Sequence, residues 1–114
     1  MRANEFVKIF GLQAARDLWI GTFNLHRNDL SIVDGYVCWL YTGRPLFQLA
    51  ELKSLIDAHD LVNTHGLEKS KEIVTSAPSD EHFYSWTLGN SGVKDKTVNI
   101  GELRKAIADV ESCL

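Results

Sequence analysis

No long run of one charge, no long apolar stretch and no dense cysteine pattern occurs in this chain. The longest basic run is Arg104-Lys105, and the acidic residues are equally scattered. Sequence-independent DNA binding is driven by phosphate neutralisation, so a net charge of −3 argues against it. No apolar run approaches the roughly 20 residues that a membrane-spanning helix needs. No apolar h-region follows Met1-Arg2-Ala3-Asn4-Glu5, so the sequence reads as having no signal peptide. The only two cysteines, Cys38 and Cys113, match no metal or redox spacing. Cys38 sits in an apolar run and reads as a small core residue, Cys113 as a free thiol, and two free thiols suit a reducing cytoplasm.

What is present is ordinary globular material. A chain of 114 residues, 45% hydrophobic and 24% charged, has enough apolar content for one core. The simplest reading is one domain over residues 1–114. Within it the chain appears twice over, as pseudo-repeats 4–62 and 61–114. Phe6-Val7-Lys8-Ile9-Phe10-Gly11-Leu12 returns as Leu61-Val62-Asn63-Thr64-His65-Gly66-Leu67, and Glu51-Leu52-Lys53 as Glu102-Leu103-Arg104. The offset is 55 between the glycines, 47 between Trp39 and Trp86, and 51 between Leu52 and Leu103. A shorter loop before the second hairpin and a longer turn within it absorb the difference.

Each repeat reads helix, glycine, helix, β-hairpin, helix. A first helix covers about 4–10, with Asn4 or Ala3 at its cap and Phe6, Val7, Ile9 and Phe10 as its apolar surface. Gly11 fits a left-handed position after it. The next helix runs over 12–20, with Leu12, Ala15, Leu18 and Trp19 on one face and Gly21 as its stop. Residues 23–35 read as loop, ending in the Asp34-Gly35 turn signal. Tyr36-Val37-Cys38-Trp39-Leu40-Tyr41 has strand composition, and Leu46-Phe47 pairs back. A helix over 48–64 follows. In the second repeat, helix 67–76 stops at Pro78, strand 82–88 turns at Gly89-Asn90-Ser91-Gly92, and Lys96-Thr97-Val98 pairs back. Asn99 caps the last helix, with Glu102 completing a capping-box pattern. The fold class is therefore α+β. Two adjacent hairpins would form one four-stranded antiparallel sheet with helices packed on one face.

Chemistry-bearing constellations are scarce. There is no Gly-x-Ser-x-Gly elbow and no Cys-His pairing, and Gly89–Gly92 lacks the helix and lysine of a P-loop. His59 and His65 are six apart, not the four that places two ligands on one helix face, so His65 reads as a solvated helix end. No catalytic, cofactor-binding or metal residue is assigned. The helix-Gly-helix boxes suggest a helix-turn-helix reader. Yet the exposed sets Gln13, Arg16, Asp17 and Glu68, Lys69, Lys71, Glu72 carry as much acid as base, unsuited to a phosphate-lined groove.

The aromatics are more informative. Alternation places Val37, Trp39 and Tyr41 on one face and Tyr36, Cys38 and Leu40 on the other, so both faces are apolar. One face packs on helices, and the second is covered by the chain or by a partner. Tyr36, Trp39, Tyr41, Phe83, Tyr84 and Trp86 are the candidate partner-binding residues, since Trp and Tyr dominate interface hot spots.

The box Gly66-Leu67-Glu68-Lys69-Ser70-Lys71-Glu72-Ile73, preceded by Asp60-Leu61-Val62, resembles a segment of small accessory proteins of temperate, lambdoid-type enterobacterial phages and prophages. The segment Leu103–Cys113 is similar to the ends of such proteins. The resemblance implies a cytoplasmic protein of an infected or lysogenic bacterium. It supplies no catalytic residue, and it implies action by binding a host protein. The leading expectation is thus a non-enzymatic module that binds a host protein or a second copy of itself as a homodimer. The alternatives are a small DNA-binding regulator, with a basic face gathering Arg16, Lys69 and Lys71, and a small enzyme with a concave pocket.

Overall fold

The computed structural model describes residues 1–87 and 94–114, without the side chains of 86, 87 and 94–96. The turn expected at Gly89-Asn90-Ser91-Gly92 lies outside the described residues. The chain is α+β, with antiparallel sheets. It divides into two compact units: residues 1–57 with 112–114, and residues 58–111.

The first unit opens with helices α1 (Ala3–Phe10) and α2 (Leu12–Ile20). Arg2, not Asn4, holds the cap position of α1, and the Asn4 side chain instead donates to the Ser112 carbonyl at 3.2 Å. Gly11 joins the helices with φ 94° and ψ 164°. That is not the left-handed helical position expected, but an extended region that only glycine occupies without strain. Of the expected α1 surface, Phe6 and Val7 are buried, with Ala3, while Ile9 and Phe10 are exposed.

Residues 23–35 hold more than a loop. A 3-10 turn over His26–Asn28 leads into β1 (Leu30–Val33), which pairs with β2 (Tyr36–Trp39). The connection is Asp34-Gly35, at φ 51° and 80°, the two positive values of a type I′ turn, whose twist matches that of the strands it joins. Strand β3 (Pro45–Gln48) completes a three-stranded sheet of order β1-β2-β3. A register shift at Val37/Cys38 pairs Val37 with Phe47 and Cys38 with Pro45. Helix α3 (Leu49–Asn63) follows. Phe6, Leu18, Leu30, Val37, Phe47 and Leu52 form the core of this unit, and Cys113 joins them.

The second unit takes up the end of α3. Gly66, at φ 86° and ψ 158°, repeats the Gly11 conformation and starts α4 (Leu67–Ser76). The hydrogen bonds repeat too. The Gly11 and Gly66 N–H groups donate to the Val7 and Val62 carbonyls at 2.8 and 2.9 Å. Strands β4 (Phe83–Thr87) and β5 (Lys94–Asn99) pair, and α5 (Ile100–Glu111) closes the unit. Its core gathers Ala58, Val62, Ile73, Val98, Ile100, Leu103 and Ile107. The single four-stranded sheet expected from the two hairpins is not formed. The described strands make one three-stranded and one two-stranded sheet.

Candidate protein-binding surfaces

One face of the three-stranded sheet fills the core, and the other is exposed at Val33 and Tyr36 but buried at Cys38. Paired residues share a face, so Leu30, Val37 and Phe47 lie together and fill the core. On the opposite face Val33 lies across from Tyr36, and both are exposed. The Tyr36 hydroxyl accepts a hydrogen bond from Gln48 Nε2 at 2.8 Å, which fixes the ring on this face. Trp39 belongs to the core-side row, opposite Leu30, yet stays 38% exposed at the end of β2. Tyr41 is not a strand residue. It stands in the turn closed by Gly43 N–H to the Trp39 carbonyl (2.9 Å) and Trp39 N–H to the Arg44 carbonyl (3.0 Å), and it is 83% exposed. The alternation expected through Tyr41 therefore ends at Trp39.

On the second hairpin the candidates separate. Phe83 is 69% exposed, whereas Tyr84 lies opposite the buried Val98 and packs half-buried against the core. The Tyr84 ring meets His65 edge-on, 5.5 Å between centroids, so His65 is a packed side chain and not the solvated helix end expected. The side chain of Trp86 lies outside the described residues.

An open cavity of about 350 Å³ lies within the second unit. Ile73, Ala77, Pro78, Phe83, Tyr84 and Ile100 give it apolar walls; Lys69, Glu72, Ser76 and His82 are its polar members. His82 Nδ1 sits 2.8 Å from Ser79 Oγ, a local bond across three residues of an exposed loop. Sequence reasoning missed this cavity.

Among the described residues no group of three or more His, Cys, Asp or Glu could hold a metal ion. Of the three residues expected on a basic face, Lys69 lies 3.9 Å from Glu72 and Lys71 3.6 Å from Glu111. No described helix is long and apolar enough to cross a membrane. No protein-family model, curated protein or solved structure matches the chain.

Proposed function

We propose that this chain is a non-enzymatic binding module that engages a protein of the bacterial cell in which it is made, through apolar side chains on its first unit. One observation carries this reading. Of the large apolar side chains exposed among the described residues, all but Phe83 belong to the first unit. Ile32, Val33, Tyr36, Trp39 and Tyr41 come from the β1-β2 hairpin and the turn after it, with Val33 and Tyr36 on one face of the strands and Ile32 and Trp39 at the exposed margin of the other. Single exposed apolar residues are ordinary, but a concentration of them, with Tyr and Trp among polar neighbours, is the composition of an interface centre. The resemblance of two segments to phage accessory proteins supports a host protein as the partner.

The test is affinity capture from bacterial lysate with the intact chain and with Trp39→Ala or Tyr41→Ala. Tyr41 is so exposed that its truncation costs little stability, which keeps folding and binding apart. A specific partner should be captured by the parent chain, and the Trp39 variant should bind it more weakly by about 2 kcal/mol, a hot-spot magnitude. Capture of no specific protein, or capture by both variants equal to that by the parent chain, would remove the proposal.

A further inference from the structure

In the first unit, β1 lies along one edge of β2, with Leu30 opposite Trp39, Ile32 opposite Val37 and Val33 opposite Tyr36. The second unit keeps the other parts of this arrangement. Ile100 N–H donates to the His82 carbonyl at 2.9 Å, as Leu49 N–H donates to the Gly35 carbonyl at 2.9 Å. Tyr84 faces Val98 as Val37 faces Phe47. Among the described residues no strand corresponds to β1. Only residues 77–82 connect α4 to β4, and among the described residues β4 pairs with β5 alone. Backbone groups alternate between the two edges of a strand, so Phe83 and Ser85 present N–H and C=O to the open edge, as Tyr36 and Cys38 do to β1.

The cavity of about 350 Å³ lies beside this edge, walled by Ile73 of α4, Phe83 and Tyr84 of β4, and Ile100. In the first unit the segment between α2 and β2 supplies apolar filling: Leu30 is buried, and Phe23 and Leu25 pack on the core. An unpaired edge and a cavity with apolar walls thus occur side by side in the second unit. We infer that the β4 edge receives an extended segment of a partner protein, antiparallel to β4, with apolar and polar residues alternating as in Leu30-Ser31-Ile32-Val33. Main-chain hydrogen bonds hold the segment, and its residue opposite Tyr84 takes the register position that Ile32 holds opposite Val37. A second copy pairing β4 with β4 fits less well. Tyr84 is packed on its own core and is not free to fill another copy's cavity. The site uses residues of the second unit only, so it stands or falls separately from the surface proposed above.

The probe is a synthetic peptide with the sequence of residues 28–35, added at millimolar concentration to the isotopically labelled full chain. Amide shifts at Phe83, Tyr84 and Ser85, with slowed exchange of the Phe83 and Ser85 amides, are expected. A peptide N-methylated at the two residues that face Phe83 and Ser85 should bind at least about tenfold more weakly, as fits the loss of two net hydrogen bonds. This control leaves the protein unaltered. Ser76→Phe, which fills the cavity from α4, should also weaken binding. No shift on β4, equal binding of the N-methylated peptide, or concentration-dependent β4 shifts without peptide would each overturn the inference, the last in favour of self-pairing.

Discussion

Gly66 and Gly11 adopt the same rare conformation for a reason that lies in the residue and not its surroundings. A Cβ at Gly66 would meet nothing within 4 Å, yet φ is +86°. Gly66→Ala should therefore destabilise by about 1–3 kcal/mol through backbone strain alone, seen as a lower urea midpoint at unchanged m-value. Ser70 offers the opposite case. It is fully buried, and its hydroxyl donates to the Val62 carbonyl at 3.3 Å, an oxygen that already accepts from Gly66 N–H at 2.9 Å. Ala15, four residues after its own glycine as Ser70 is after Gly66, is equally buried with no hydroxyl. Ser70→Ala should cost no more than about 1 kcal/mol, whereas Ser70→Val, which adds volume to a filled site, should cost about 1–3 kcal/mol. Chemical denaturation of the two variants separates hydrogen bonding from packing at this position.

Among the elements, the helices were legible and the sheet edge was not. Apolar spacing with Gly11, Gly21, Gly66 and Pro78 marked the helix limits closely, because glycine and proline act on the backbone locally. Asn99 was legible for the same reason: its Oδ1 accepts the Glu102 N–H at 3.2 Å. Asn99→Ala should destabilise by about 1 kcal/mol, with Asn99→Asp close to neutral, measured by thermal unfolding. Strand β1 escaped because Leu30-Ser31-Ile32-Val33 is short and follows Asn24, His26, Asn28 and Asp29, whose composition signals a loop. Its pairing with β2 is a tertiary fact that four residues do not announce. The candidate site was half legible for the same reason. Composition named Tyr36, Trp39, Tyr41 and Phe83, which are exposed, but it could not tell that Tyr84 turns inward. The cavity is lined by residues of α4, β4 and the segment between them, with Ile100, whose convergence is tertiary and not a pattern in the sequence.

For the molecule as a whole, the division into units does not follow the order of the chain. Ser112–Leu114 belong to the first unit although all of the second precedes them. Cys113 is buried in the first core, and the Asn4 side chain bonds the Ser112 carbonyl. Cys113→Ser places a hydroxyl in that core and should cost about 1–3 kcal/mol. Hydrogen exchange should then quicken at the Val37 and Phe47 amides and stay unchanged at Val98, although residue 113 adjoins α5 in sequence. The same connectivity governs how the protein is made. Domains ordinarily fold in the order of synthesis, but the core of the first unit lacks a member until the ribosome has made everything from Ala58 to Glu111, a delay of seconds at roughly 5–20 residues per second. During that delay the nascent first unit carries an open place in its core, and a chaperone that reads exposed apolar surface has its opportunity then.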